Sequence, residues 1–440
     1  MTCLEKPVRK HLHFDALIAL LRDRFEQIAD PRPAAAGITL TDALLSGFAV
    51  FSLKDPSLLA FDERRDDSNL HTIYRIETVP SDTHLRTLLD DVDPESLRPA
   101  FTDVFRQLQR GKALEPFVFF EGCYLMALDG TTYFSSQAIH CPSCLEKKSK
   151  AGTITYSHQL LGAALIHPDF REVIPLMPEP IIKQDGDTKN DCERNAAKRF
   201  FQHFRRDHPH LPVIVTEDGL SSNAPHIAEL RKYRIHFILG AKPGDHGFLF
   251  AQMEAAFAAG QAHVWTLADP DGSTWHHFRY LHQVPLNESN PDVLVNFLEY
   301  WEVGKDGVKY FSWVTDLPLN HETVFPIMRG GRARWKIENE TFNTLKNQGY
   351  HFDHNYGHGE KHLSVVFALL MMLAFLVDQT QQLCDALFRR AWDKLGSKRM
   401  LWEQLREVFH AFALESMQEL LTVLLHGYDK QRPVLREDTS

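Results

Sequence analysis

The sequence predicts an α/β protein whose core of strands and helices carries a β-rich insertion and is flanked by helical N- and C-terminal regions. Three features predict this class. Helix-capping residues recur through residues 1–115, short apolar strands alternate with amphipathic helices through 116–241, and extended aromatic segments fill 242–329. Helical spacing returns in 330–378, which we assign to the same core as 116–241, and continues through a helical C-terminal region, 379–440.

Length and composition indicate a soluble protein with reduced thiols. The 440 residues allow about three domains and a large core. Six cysteines are too few for a disulfide scaffold of this length, which favours a cytoplasmic location, and the charged segment Met1–His13 lacks a hydrophobic signal sequence. The net charge of −10 argues against a uniformly basic surface, although a basic groove on an acidic body is compatible with it.

The first 115 residues are predicted to form an all-helical unit. Helices are expected over 14–29 and from Asp93 to about Gly111, with capped starts at Thr41, Asp55 and Ser81 between them. Small helical units often bind DNA through a helix-turn-helix, which makes DNA binding one interpretation. Packing or dimerisation is the alternative, because no basic recognition helix stands out.

In the core, the predicted order is strand, strand, strand, helix, strand, helix, strand. A buried strand begins at Tyr124 and turns at Asp129-Gly130 into a second strand, and Thr153–Ile166 is the third. A helix over 191–206, a strand over 211–218, a helix from Ala224 and a strand over 235–239 complete the order. Asp129 therefore ends the first strand and Asp218 the fourth, on neighbouring elements.

The remaining elements divide between the insertion and the helices after it. In the insertion, strands are predicted around 280–284, 295–301 and 310–315. A helix from about Arg332 to Asn347 follows, then a helix over 363–377 and two more over 380–394 and 400–426, before a polar tail. The apolar run 365–377 is shorter than the roughly 20 residues of a membrane span. Charged residues bracket it, so we interpret it as a buried helix of a protein with no membrane partner.

Acidic residues from three distant segments form the candidate site. Glu338 lies on the helix after the insertion, among the basic residues Arg329, Arg332, Arg334, Lys336 and Lys346. With Asp129 and Asp218 it makes a three-carboxylate set suited to Mg²⁺ or Mn²⁺. Two such ions about 3.5–4 Å apart promote phosphodiester displacement. The alternative is a solvated helix of mixed charge.

Two neighbouring acids compete for these roles. Glu340 lies about 200° around the helix from Glu338, so both cannot face the same ions. Glu217 would point to the opposite face of its strand from Asp218. We therefore assign the metal ligands as Asp129, Asp218 and Glu338, with Glu340 open as the third acid.

The motifs Leu128-Asp-Gly-Thr131, Val215-Thr-Glu-Asp-Gly219 and Arg334-Trp-Lys-Ile-Glu338 resemble those of the DDE transposases of bacterial insertion sequences, in the cut-and-paste class with a β-rich insertion. The resemblance covers about 117–376. It implies an RNase H-like catalytic core, binding of terminal inverted repeats, cleavage with two divalent ions, and joining of 3′-hydroxyl ends to target DNA. It also implies a homodimer on double-stranded DNA, acting at the bacterial nucleoid.

The same resemblance assigns DNA contacts to the helix that carries Glu338. Arg334 would contact phosphate and Trp335 would stack on a flipped base, with a core tryptophan as the alternative. The family pattern has Tyr at the position of Gly331 and Lys at the position of Leu345, with Lys346 one step later. These departures indicate a divergent branch. A metal-dependent nuclease without strand transfer and a catalytically inactive DNA-binding protein remain as alternatives.

A second metal site is suggested by Cys141-Pro-Ser-Cys144, which has the spacing of a zinc knuckle. Cys192 or a histidine would complete a structural zinc site, and a loop with free thiols is the alternative. The histidines at 351, 354, 358 and 362 are interpreted as part of a turn rather than a dedicated site, because nearby glycines break the helix that would align them.

Overall fold

One mixed sheet forms the centre of the molecule. The computed structural model describes residues 11–30, 32, 37–183 and 191–428, so most of the charged N-terminal segment and the predicted polar tail lie outside the described residues. The strands are β1 (Val118–Phe120), β2 (Cys123–Ser136), β3 (Leu145–Lys148), β4 (Ile154–Ile166), β5 (Ile174–Pro175), β6 (Glu179–Ile181), β7 (Val213–Glu217), β8 (His236–Gly240), β9 (His263–Ala268), β10 (Trp275–Asn287), β11 (Asn290–Gly304) and β12 (Gly307–Thr315).

Helices make up most of the described N-terminal region and the described region after the last strand. They are α1 (Phe14–Phe25), α2 (Leu40–Ser52), α3 (Leu58–Asp62), α4 (Ser68–Thr72), α5 (Asp82–Asp90), α6 (Arg98–Arg110), α7 (Glu193–Asp207), α8 (Ala224–Lys232), α9 (Gly247–Ala258), α10 (Val324–Ala333), α11 (Asn343–Asn347), α12 (Leu363–Cys384), α13 (Ala386–Leu395), α14 (Lys398–Ala411) and α15 (Met417–His426). The protein is thus a mixed α/β structure with a large central sheet, as the sequence predicts at that level.

The strand order places the first and fourth predicted strands side by side. Across the sheet the order is β3-β4-β2-β7-β8-β12-β11-β10-β9, with β5 and β6 also paired to β4 and β1 to β2. β2 is antiparallel to β4 and parallel to β7, which is parallel to β8. β12 pairs with β8 in the antiparallel direction, so the strands of the insertion extend the core sheet directly.

The predicted turn at Asp129-Gly130 is wrong. β2 is one 14-residue strand that passes straight through both residues. Its pairing with β4 continues from Leu125 to Ser136, whereas its pairing with β7 covers only Tyr124–Ala127. The long antiparallel ladder therefore overrides the local turn preference of Asp-Gly, and Asp129 lies just past the point where the parallel neighbour ends.

The insertion contains a helix that the sequence pattern does not indicate. α9 occupies a stretch predicted to lack helices, and only Leu249 and Met253 of its residues are buried. Its apolar residues face almost every side, so helical periodicity gives no signal. β9 was likewise not predicted, and β10 and β11 are longer than expected.

The helix that carries Glu338 begins earlier than the sequence predicts. α10 starts at Val324 rather than near Arg332, and a π-helical segment, Ile337–Phe342, leads into α11. The pair Gly330-Gly331 suggests a helix boundary, but here it permits close packing. A Cβ atom on Gly331 would lie 2.4 Å from the Trp313 indole nitrogen.

α12 is the core helix around which the terminal helices pack. It is long and apolar enough to cross a membrane by length and composition alone, yet its most apolar stretch is completely buried inside the molecule. α2, α5 and α6 pack against it from the N-terminal region, and α13 from the C-terminal region. Its burial agrees with the predicted core helix, although it runs on to Cys384. The single predicted helix over 400–426 is instead α14 and α15.

Candidate active site

Asp129 and Asp218 lie at the same edge of the two central parallel strands. The pairing between β2 and β7 ends at Ala127 and Thr216. Asp129 lies two residues farther along β2, and Asp218 lies two residues farther along the chain, directly after β7. Neighbouring strands are about 4.8 Å apart, and residues two apart share a face. Both aspartates line one open cleft of about 460 Å³. Asp218 is fixed there because its side chain caps a short 3₁₀ turn, accepting the Leu220 N–H at 2.9 Å.

Glu338, on the π-helical segment, lies beside Asp129, and Arg334 bridges the two carboxylates. The Arg334 guanidinium lies 3.1 Å from a carboxylate oxygen of Asp129 and 2.7 Å from one of Glu338. Burial and, to a lesser extent, the neighbouring Glu338 carboxyl raise the pKa of Asp129. Helix segments with π geometry are uncommon and recur at functional sites.

A glycine on β4 allows the Glu338 segment to approach the strand of Asp129. Gly162 is the cross-strand partner of Asp129. A Cβ atom on it would lie 2.7 Å from the Phe342 ring, one helical turn after Glu338. Phe342 therefore packs directly on the bare backbone of β4, and this contact sets the distance between the helix and the two aspartates.

The two competing acids are each paired with a basic side chain of their own. Glu340 lies 3.3 Å from the Arg171 side chain, away from Asp129. Glu217 is buried in a 2.5 Å contact with His226. Although burial acts to lower the pKa of His226, the Glu217 carboxylate raises it overall. The geometry thus favours Glu338 over Glu340 as the third acid, as the sequence argument does.

The cleft carries an excess of negative charge. Burial, opposed by Arg334 and reinforced by Glu338, raises the pKa of Asp129 to about 7. Although burial acts to lower the pKa of Arg334, the carboxylates of Glu338, Asp129 and Asp218 raise it overall. The Arg334 guanidinium therefore interacts with the carboxylates of Glu338, Asp129 and Asp218. The raised pKa of Asp129 indicates that further positive charge would be favourable here.

Glu193 is a fourth acid at this cleft, and the sequence argument missed it. It lies in the first turn of α7, and its carboxylate occupies the space beside Gly130 where a Cβ would lie 2.1 Å from it. Burial and the charges of Asp218 and Glu217 raise its pKa. In the sequence it looks like an ordinary acid at a helix N-terminus. Its one distinguishing signal was the glycine directly after Asp129.

The structure places Trp335 at the surface and Lys346 beside β2. The Trp335 side chain is 43% exposed, so the core-tryptophan alternative is wrong. Lys346 lies 3.4 Å from the Thr132 carbonyl oxygen on β2 and 3.5 Å from Asp353. Lys346 thus contacts the same strand that carries Asp129, at a residue that lies farther along β2 than Asp129.

Both departures from the family pattern have a local physical cause. The position of the expected tyrosine, Gly331, lies against the Trp313 indole and has no room for a side chain. At the second position Leu345 is fully buried, and Lys346 reaches β2 instead. The π-helical segment Ile337–Phe342 takes up one extra residue per turn compared with an α-helix, which shifts the residues after it by one position.

The donor set suits a hard divalent cation. Asp129, Asp218 and Glu338, with Glu193 beside them, offer only carboxylate oxygens, which Mg²⁺ and Mn²⁺ prefer. Asp129 on β2, Asp218 directly after β7 and Glu193 on α7 line the cleft, and Arg334 joins Glu338 of the π-helical segment to Asp129. Their partial neutralisation by Arg334 leaves the cleft able to accept further positive charge.

Comparisons with known proteins find little similarity. No protein-family model matches the chain, and no curated protein is detectably similar to it. Among solved structures, the chain is similar to a cryo-EM structure of the piggyBac transposase synaptic complex with hairpin DNA. That likeness covers 98% of this chain and 86% of that chain at 12% sequence identity, with a TM-score of 0.39. Such a distant likeness leaves the assignment to the geometry of the site.

Proposed function

We propose that this protein is a DDE transposase that cleaves DNA at the ends of a mobile element and joins the 3′-hydroxyl ends to target DNA. The observation that carries the proposal is that Asp129 and Asp218 line one open cleft, while Arg334 joins Asp129 to Glu338, 209 residues later in the chain (338 − 129). The sheet order supports an RNase H-like core around that cleft. The antiparallel strands β2, β3 and β4 are followed by β7 and β8, which run parallel to each other and to β2.

The proposed roles follow from the contacts of each side chain. Asp129, Asp218 and Glu338 would hold two Mg²⁺ or Mn²⁺ ions. When bound, these ions supply activation of the attacking hydroxyl and stabilisation of the leaving oxygen. Glu193 is proposed as an additional acid of the same site. Arg334 is already aimed between two of the acids, where it would meet a phosphate brought to them.

Trp335 and Lys346 are proposed to contact the DNA on either side of this centre. The exposed indole of Trp335 offers an aromatic face for an unstacked base. Lys346 lies beside β2 at Thr132, where its ammonium group would face phosphate. The proposed enzyme acts at the nucleoid in the bacterial cytoplasm, and in at least two copies, since two DNA ends must be brought together.

The test uses the full-length protein and end-labelled duplexes from the DNA that flanks its coding region. With Mg²⁺ or Mn²⁺ we expect cleavage at the element ends and transfer of the 3′-hydroxyl strand to a plasmid target. Asp129→Asn, Asp218→Asn and Glu338→Gln should each abolish both steps, while Glu340→Gln, the matched control on the same helix, should retain them.

Three other results would each contradict the proposal in a defined way. Cleavage without strand joining would identify a nuclease. Binding of the duplexes without cleavage would identify a catalytically inactive DNA-binding protein. Full activity in Asp129→Asn would remove the three-carboxylate assignment itself.

A further inference from the structure

A group of two cysteines and two histidines lies apart from the candidate active site. Cys141 and Cys144 come from the loop between β2 and β3, His158 from β4, and His358 from the segment between α11 and α12. One ligand atom from each lies within 4.8 Å of every other. The two cysteines and His158 are buried, and His358 is partly buried. Three separate parts of the chain therefore bring soft and borderline donors to one point.

The distances between these atoms fit a tetrahedral metal site. The two sulfurs are 4.0 Å apart, and His158 Nε2 lies 3.4 Å from Cys141 Sγ and 3.5 Å from Cys144 Sγ. His358 Nε2 lies 3.1 Å from Cys144 Sγ. With Zn–S bonds of about 2.3 Å and Zn–N bonds of about 2.0–2.1 Å, the edges of a tetrahedron are about 3.8 Å between sulfurs and about 3.6 Å from sulfur to nitrogen.

The orientation of the two imidazoles also indicates an ion. Each ring turns Nε2 toward the thiols, and within the described residues neither Nδ1 atom has a hydrogen-bond partner. An ion bound between the four donors would stabilise this orientation of the two Nε2 atoms more than a weak hydrogen bond to a thiol does.

A disulfide does not account for the group. Bonded sulfurs are about 2.05 Å apart, far closer than those of Cys141 and Cys144. A disulfide would also not explain why the Nε2 atoms of both histidines lie beside the sulfur atoms. The Cys141 backbone N–H instead points at Cys144 Sγ at 3.4 Å, a contact that stabilises a thiolate.

The surroundings are those of a closed structural site. Tyr133 stacks beside His158, and the Phe134 ring lies 4.4 Å from that of His358. These aromatic rings come from the far half of β2 and limit access of water. Sequence reasoning had proposed Cys192 as a further ligand, but that residue is exposed at the start of α7 and is not in the group. Of the four histidines near 351–362, only His358 takes part.

We propose that Cys141, Cys144, His158 and His358 bind one structural zinc ion. Four protein donors of two sulfur and two nitrogen atoms match the tetrahedral sites that select Zn²⁺. The ion would fasten the segment between α11 and α12 to β4 and to the β2–β3 loop. That segment directly follows the helix carrying Glu338, so the zinc would anchor the chain just after the C-terminal end of that helix. The proposal does not depend on the proposed transposase activity.

Metal analysis of the purified full-length protein tests it. Plasma mass spectrometry after gel filtration should find one zinc per chain in the wild type and in Cys192→Ser, the control thiol. Cys144→Ser and His358→Asn should each lose most of it, with far-UV circular dichroism confirming that they fold. Asp129→Asn should keep its zinc, which separates this site from the carboxylate cleft.

A cobalt titration keeps the test decisive if the cysteine variants fail to fold. Zinc-free wild type should take up one Co²⁺ with the strong visible absorption of a tetrahedral ion and the near-ultraviolet band of thiolate ligands, and Zn²⁺ should displace it. The proposal fails if the wild type carries no zinc and gives no such spectrum. It also fails if Cys144→Ser retains its zinc, or if intact mass shows Cys141 and Cys144 joined as a disulfide.

Discussion

Replacing Asp129 by Asn should stabilise the metal-free protein at alkaline pH. The pKa of this carboxyl is raised from 3.8 to about 7, chiefly by burial, and a tenfold change in proton affinity corresponds to about 1.4 kcal/mol. Holding the ionised form in the folded state therefore costs about 4 kcal/mol at pH 8 as an upper figure. Since the Glu338 carboxyl shares the proton, we expect a gain of about 2–4 kcal/mol.

The pH dependence gives this prediction its sign. Because the folded-state pKa is the higher one, the cost is absent below about pH 4, grows as the pH rises toward 7, and is constant above that. Asparagine carries no such cost and still accepts a hydrogen bond from Arg334. The stability difference between Asp129→Asn and wild type should therefore be at most about 1 kcal/mol at pH 4.5 and largest at pH 8.

Urea unfolding followed by circular dichroism measures this difference, in buffer freed of divalent ions by a chelating resin. Glu340→Gln is the control, since Glu340 lies outside the cleft, and it should change stability little at either pH. Adding Mg²⁺ at pH 8 should stabilise the wild type and leave Asp129→Asn almost unchanged. Equal or lower stability of Asp129→Asn at pH 8, or the same gain at both pH values, would refute the charge assignment of the cleft.

Three further substitutions test other parts of the site. Glu193→Gln should lower DNA cleavage by about tenfold or more, as losing an acid beside a metal site does, whereas Glu229→Gln on α8 should not; equal losses would show that Glu193 has no special role. Trp335→Ala should leave the urea midpoint unchanged but reduce end cleavage by about tenfold, from about 1–3 kcal/mol of base stacking; unchanged cleavage would exclude a base contact. Gly162→Ala should displace Phe342, which should lower stability by about 1–3 kcal/mol and reduce cleavage. The control Ala163→Gly should preserve cleavage better. If Gly162→Ala is active and fully stable, the Glu338 segment does not pack tightly on β4.

The sequence predicts the candidate acids because two of them follow a strong local pattern. Asp218 ends an apolar strand, and Glu338 lies four residues after Arg334 on a helix. Asp129 was found for a partly wrong reason, since the strand does not turn there. Its position at the site depends on where the pairing between β2 and β7 ends. These strands are about 90 residues apart, and the local sequence of neither strand predicts that end point.

Residues that meet only through tertiary packing could not be predicted. Glu193 has the ordinary signature of a helix N-terminus, and its proximity to Asp129 arises because Gly130 leaves room for it. His158 and His358 are 200 residues apart (358 − 158), and nothing in their local sequences pairs them with Cys141. The shift of Lys346 by one position likewise depends on a π-helical segment that residue spacing alone does not reveal.

The double contact of Arg334 has a thermodynamic consequence. Its guanidinium neutralises the same carboxylates that an incoming cation would use, so the arginine and the cation compete for them. A ligand that draws Arg334 away, such as a phosphate group, would strengthen cation binding between the acids. By reciprocity, the cation would strengthen binding of that ligand by the same factor. Such coupling would keep the cleft least receptive to metal until its anionic partner has arrived.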